Sequence, residues 1–150
     1  GLFTKMTNFE HGTRVPLILS LPGQKTAGQR TKALVELVDL YPTLAQLCDL
    51  PLPKHLEGIS FVPLLENPDQ PWKKAAFSQY LRTGKPPHTG RSLRTDRWRY
   101  TEWHDFKGKP AGVELYDELN DPQEAVNLAN DPTHAETVKQ LSKHLLESRL

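Results

Sequence analysis

The sequence predicts an α/β chain with an α+β second half, and three patterns carry that reading. Val15-Pro16-Leu17-Ile18-Leu19-Ser20-Leu21 is a continuous apolar run closed by Pro22-Gly23, the pattern of a strand buried on both faces in a helix-covered sheet. Leu40, Leu44, Leu47 and Cys48 recur at helical spacing behind Asp39, which gives one apolar stripe. Past residue 72 the apolar period drops from about 3.6 to about 2, the change from helix to half-buried strands.

Taken in order, the opening stretch from Lys5 to Arg14 sets a cation and the polar residues Thr7, Asn8, Glu10, His11 and Thr13 in front of the expected strand. Polar chemistry at the end of a core strand is where open α/β sheets gather their sites. Residues 24–33 are polar and aperiodic, a surface loop. Leu34–Val38 reads as a brief extended segment before a helix capped by Asp39, with Pro42 in its first turn and Asp49 and Pro51 at its end.

Residues 51–72 form a Pro- and Leu-rich connector with a short helical turn at Val62–Glu66. This connector is the expected boundary between residues 1–72 and residues 73–150. Alternation around Phe77–Leu81, Leu93, Trp98–Trp103 and Val113–Tyr116 predicts four short strands. They are joined at Thr95-Asp96-Arg97 and Lys107-Gly108-Lys109-Pro110 into an antiparallel sheet. Asn120-Asp121-Pro122 is a turn. Asp131-Pro132 starts a C-terminal helix whose inner face is Ala135, Val138, Leu141 and Leu145.

The 150 residues carry 19 Lys and Arg against 18 Asp and Glu, a net charge of +1. No global field favours nucleic acid or a membrane surface. No apolar run approaches the roughly 20 residues that cross a bilayer. The one cysteine, Cys48, ends an apolar stripe and reads as a buried thiol, so it leaves the compartment open. The one methionine, Met6, follows Lys5, so Gly1 is not expected to be a native start.

Five pieces then stand in a telling order. They are Lys5-Met6-Thr7-Asn8-Phe9-Glu10; Arg14-Val15-Pro16-Leu17-Ile18; Val38-Asp39-Leu40-Tyr41-Pro42-Thr43-Leu44; Gly90-Arg91-Ser92-Leu93-Arg94-Thr95 with Arg99-Tyr100-Thr101-Glu102-Trp103; and Glu114-Leu115-Tyr116-Asp117 with Asn120-Asp121-Pro122. In this order the chain resembles the C-terminal third of the formylglycine-dependent sulfatases, within them the iduronate-2-sulfatase-like group, over nearly its whole length.

The resemblance implies an alkaline-phosphatase-like α/β domain ending in a four-stranded antiparallel subdomain with a terminal helix. It implies sulfate-ester hydrolysis by a formylglycine beside a calcium ion, with a sulfated carbohydrate as substrate. It places Lys5 on the sulfate. Thr7 stands for the family's Ser, Glu10 for its Asp, and Met6 where His is common. The nucleophile motif, Cys or Ser-x-Pro-x-Arg, is not in these residues; Ser20-Leu21-Pro22-Gly23-Gln24 is the nearest match and lacks the arginine. Nucleophile and calcium ligands are therefore expected in a missing N-terminal portion, with no metal site and no activity in this chain alone. Such enzymes are typically exported. A strand at Val15–Leu21 without its neighbours would favour a non-native dimer or strand swap.

Several residues carry a plain and a sharp reading. Lys5 is a solvated lysine or, as the resemblance implies, the sulfate contact. His11 is a loop histidine bonded to backbone or a substrate contact. Glu10 and Arg14 read as a salt bridge fixing the loop. Arg91, Arg94, Arg97 and Arg99 form no continuous stripe, with Asp96, Glu102 and Glu114 as expected partners. Trp98, Tyr100 and Trp103 read as core aromatics. The basic loop from Arg82 through Lys85 to His88 is a candidate for contacts to an acidic sugar. The alternatives are another alkaline-phosphatase-superfamily hydrolase, or a free-standing binding or structural module descended from a sulfatase tail.

Overall fold

The computed structural model describes residues 6–148. These residues divide into two compact units, Leu17–Ala76 and the opening residues up to Pro16 together with those from Phe77 onward. The expected boundary at 72 assigned the opening stretch to the first unit. Chain contacts tie it to the second, because Asn8 and Glu10 bond to residues 90, 94, 99 and 124.

In the first unit a 3-10 turn, Leu37–Asp39, runs into α2, Leu40–Leu47, and α3 spans Val62–Glu66 as expected. Asp39, fully buried, is the organising residue. Its carboxylate does not cap α2, for which it was the expected cap, but completes the capping box of the 3-10 turn. It accepts from the backbone N–H of Glu36 at 2.8 Å and of Ile59 at 3.0 Å, and pairs with Lys73 Nζ at 2.5 Å. Thr43 Oγ1 donates to the Asp39 carbonyl and accepts from the Phe61 N–H. The two polar positions of the Asp39-x-x-x-Thr43 segment thus close the connector onto α2. Gly58 allows that closure, since a Cβ there would lie 2.0 Å from the Val38 carbonyl oxygen.

Three expectations fail in this region. Val15–Leu21 is no strand: it pairs with nothing among the described residues, and Val15, Leu17 and Ile18 are exposed, Ile18 by 89%. An apolar run is buried only when partners cover it, and periodicity cannot say where those partners lie. α2 buries Pro42, Thr43 and Ala45 rather than the leucine stripe, leaving Leu44 exposed. Cys48, the residue that ends the helix, is exposed instead of buried.

The second unit is a meander of β1 Ala76–Arg82, β2 His88–Arg94, β3 Trp98–Asp105 and β4 Pro110–Asp117 in sequential order. Register sorts the side chains by face. Leu93, Tyr100 and Leu115 stand opposite one another and are buried under α4, Ala135–Glu147, through Leu141 and Leu145, with Phe77, Trp98 and Val138 around them. Tyr100 lies in this core and Trp98 packs against it, as expected, whereas Trp103 is buried on the opposite face. Asp131 accepts from the Thr133 N–H at the helix start, with Pro132 in the first turn. Only Ala135 departs from the expected inner face; it is exposed.

Gly90, Trp103 and Gly112 align on the other face, as do Arg94, Arg99 and Tyr116. The opening stretch, with the single-turn α1 at Glu10–Thr13, packs there.

Gly58→Ala is expected to destabilise the first unit by about 1–3 kcal/mol, because backbone rather than a movable side chain blocks the new methyl. Denaturant unfolding followed at Trp72 checks this; an unchanged midpoint contradicts it.

Candidate functional site

The motif residues after Lys5 are anchors. Thr7 Oγ1 accepts from the Phe9 N–H at 3.2 Å, which folds the chain into a turn. Asn8, 3% exposed, donates to the Gly90 carbonyl at 2.9 Å. That approach needs Gly90, since a Cβ there would sit 2.7 Å from both Asn8 Nδ2 and the Trp103 ring. Phe9 meets Tyr116 edge-on with ring centroids 5.6 Å apart.

Glu10 supplies the charge that completes the anchor. It pairs with Arg94 at 3.2 Å and with Arg99, while its own N–H donates to Glu124 Oε2 at 2.7 Å. Arg99, 2% exposed, also pairs with Glu118 at 3.3 Å and Glu124 Oε1 at 2.6 Å, the latter a close charge contact without hydrogen-bond alignment. Arg14 adds an exposed partner to Glu10 at 3.5 Å. The expected loop-fixing salt bridge is present, within a larger buried network.

Two guanidiniums thus face three carboxylates, and burial decides how the charges settle. Burial pushes the Glu10 carboxyl up, but Arg99 and Arg94 outweigh it and hold the group below its ordinary value. Glu118 goes the other way: burial, reinforced by Glu10 and Glu124 against the two arginines, pushes it up to about 7. Outside the network, hydrogen bonds from Arg97 and Asn120 hold Asp117 down at about 2. The arginines of this region therefore pair with Glu10, Asp117, Glu118 and Glu124. Of the expected partners Asp96, Glu102 and Glu114, none forms an ion pair with an arginine among the described residues.

A cleft of about 310 Å³ opens on the same sheet, lined by Arg82, His88, Trp103, Gly112, Glu114 and Asn127 among others. The Arg82 guanidinium lies 4.2 Å from the centre of the Trp103 ring, a cation-π stack. Arg82 Nε and Trp103 Nε1 are buried donors without hydrogen-bond partners. Glu114 lies near enough to feel both, but without hydrogen-bond geometry to the indole. Burial raises its carboxyl above the ordinary range against the opposing pull of Trp103 and Arg82.

Of the sequence candidates, Arg82 and His88 meet in this cleft. Lys85 is exposed on the β1–β2 turn and does not line it, and His11 is exposed on α1. Lys5 lies outside the described residues. Trp103 and Glu114 were read as a core aromatic and an arginine partner; their place in a cleft follows from the glycines opposite Trp103 on both neighbouring strands, a signal visible only once register is known. No group of three His, Cys, Asp or Glu side chains among the described residues could hold a metal. The densest carboxylate cluster is already filled by Arg94 and Arg99 and does not suit calcium.

The family described as N-sulphoglucosamine sulphohydrolase, C-terminal, matches residues 1–150. Dog arylsulfatase K is 33% identical over 144 residues, covering 85% of this chain and 24% of that protein. Mouse iduronate 2-sulfatase is 31% identical, covering 89% of this chain and 36% of its own length. The chain thus spans about a quarter to a third of these relatives. A structure solved with its substrate D-glucosamine-2-N,6-O-disulfate superposes at a TM-score of 0.59 with 28% identity, over 73% of this chain and 22% of that one. The phosphonate monoester hydrolase of Agrobacterium radiobacter superposes at 0.67 with 26% identity, over 81% and 26%.

The raised Glu118 carboxyl sets a pH dependence. Between 4.5 and about 7 the folded chain keeps a proton that the unfolded chain has released, so this group's contribution to stability falls as pH rises through that window. The stability difference between the natural chain and Glu118→Gln should therefore decline across it, by denaturant unfolding at several pH values. A flat or rising difference contradicts the assignment.

Proposed function

This chain belongs to the family of N-sulphoglucosamine sulphohydrolase C-terminal domains, and we propose from that premise that it completes a sulfatase that hydrolyses sulfate esters of a sugar. It is a sulfatase C-terminal domain by family and fold. The proposal is what its opening motif does. Asn8, Phe9 and Glu10 are all committed to holding the chain on the sheet, and this anchoring is the observation that carries the reading. It leaves Lys5, next to Met6 in sequence, as the motif's cation for the sulfate, where charge developing on the ester oxygens needs a fixed positive partner.

The sugar reading is supported by what similar proteins are named for: iduronate 2-sulfatase, and the structure bound to D-glucosamine-2-N,6-O-disulfate. A formylglycine nucleophile and a calcium ion would be supplied by other parts of the parent enzyme, and no step is assigned to them through residues of this chain. The 150-residue chain alone is then inactive, and the parent is an exported enzyme. No helix among the described residues is long and apolar enough to cross a membrane.

A second reading has one observation in its favour. The phosphonate monoester hydrolase superposes at 0.67, so a related hydrolase of phosphorus esters is the alternative.

Assays of the parent enzyme on a sulfate ester and a phosphonate monoester decide between these readings, with preference for the sulfate ester expected. In that enzyme Lys5→Ala should lower kcat/KM by about 10²–10³, the usual loss for one charge-stabilising donor. Unchanged kinetics would remove Lys5 from the site. Turnover by the 150-residue chain alone would overturn the division of labour.

A further inference from the structure

The cluster that anchors the opening stretch holds one more carboxyl than it has buried cations. Glu10, Glu118 and Glu124 converge on Arg94 and Arg99, and the side chains of Glu118, Glu124 and Arg99 are each 2% exposed. A buried carboxylate left without a cation binds a proton instead, so one of the three is held neutral. The contacts say which. Glu124 Oε2 accepts the Glu10 N–H at 2.7 Å, and its other oxygen lies 2.6 Å from Arg99 Nε. Glu10 accepts from both guanidiniums, which outweigh its burial and keep its carboxyl below the ordinary value. Glu118 has the longest contacts, 3.3 Å to Arg99 and 3.6 Å to Arg94, and burial pushes it up to about 7.

The charged groups that face Glu118 are Glu10 from the opening stretch, Arg94 from β2, Arg99 from β3 and Glu124 from the loop after β4. Its neighbour Asp117 is engaged by Arg97, and Arg14 meets Glu10 from the solvent side, where a charge is well screened. We propose that Glu118 is a proton-operated switch for the opening stretch: protonated, it leaves both guanidiniums to Glu10, and ionised, it competes for them and loosens the Glu10 end. The competition is direct. Arg94 Nε lies 3.2 Å from Glu10 Oε2 and 3.6 Å from Glu118 Oε1, so one donor faces both acids. The contacts of Asn8 with Gly90 and of Phe9 with Tyr116 carry no charge and hold at either pH. Loosening is therefore confined to the stretch from Phe9 to Arg14. This switch rests on the cluster and not on the sulfatase reading.

The test is an NMR pH titration of the full 150-residue chain. Carbon signals of the glutamate carboxyls report proton binding, and the Phe9 and Glu10 amides, which donate to Thr7 and Glu124, report the stretch. An imidazole titrates in the same window and His11 is the next residue, so the chain is compared with Glu118→Gln in a His11→Asn background. A Glu118 midpoint of about 7 is expected, with the Phe9 and Glu10 amides shifting at that midpoint. Exchange of the Gly12, Thr13 and Arg14 amides, corrected for its intrinsic pH dependence, should rise about tenfold above it, the scale of one hydrogen bond to a charged group. In Glu118→Gln, uncharged at every pH, both responses should vanish. Glu124→Gln keeps an acceptor for the Glu10 N–H but removes one carboxylate, and should lower the Glu118 midpoint by about one unit, a tenfold change in proton affinity. A Glu118 midpoint at the ordinary 4.5 overturns the proposal, as do Phe9 and Glu10 amides that keep shifting in Glu118→Gln. The midpoint is read with Glu118 in place, so the test holds even where Glu118→Gln fails to fold.

Discussion

The buried ion network around Arg99 is the constraint on which the second unit depends. A guanidinium 2% exposed in the middle of a sheet is tolerable only if carboxylates surround it, since an uncompensated buried charge costs several kcal/mol. Those carboxylates come from three places: Glu10 on the opening stretch, Glu118 just after β4, and Glu124 in the loop beyond. Satisfying one side chain therefore gathers the opening stretch and the segment that follows β4 onto one face of the sheet. The surplus of acid over base falls on Glu118, whose carboxyl burial pushes up to about 7.

The sheet divides its work between its two faces. One is apolar and closed by α4 over Leu93, Tyr100 and Leu115, and it supplies the burial that makes a four-stranded meander stable. The other carries the motif anchor and the cleft. Glycine makes the crowded side possible: Gly90 admits Asn8 and the Trp103 ring, while Gly112 leaves room beyond it. The aromatic side chain of Trp103 is thus both a packing element and one wall of a site.

What was legible in the sequence were the elements whose signal is local. Alternation from Phe77 to Tyr116 and the helical spacing of Val138, Leu141 and Leu145 foretold the sheet and α4, and Val62–Glu66 emerged at its expected bounds. What was not legible were contacts between distant residues. Asn8 meets Gly90 across 82 residues, Glu10 meets Arg99 across 89, and the Glu10 N–H meets Glu124 across 114, so the arginines were matched instead with acids nearby in sequence. The run from Val15 to Leu21 failed for the converse reason. Its composition records a preference for burial, and the described residues contain no partner that meets it. Arg82 and His88 were read as parts of one polar, basic loop, and they stand at the end of β1 and the start of β2. Only the register of β3 and β4 shows that they share a cleft with Trp103 and Glu114.

The central claim is that Glu10, through Arg94 and Arg99, fastens the motif stretch to the sheet. Amide hydrogen exchange in a Glu10→Ala variant tests it most directly. The account predicts faster exchange in the opening stretch, at the amides of Phe9 and residue 10 and at those of Gly12, Thr13 and Arg14, whose hydrogen bonds run to Thr7, Glu124, Phe9 and Glu10, with β3 and β4 still protected. Unchanged exchange in the opening stretch would show that the network does not hold it, and the account would be contradicted.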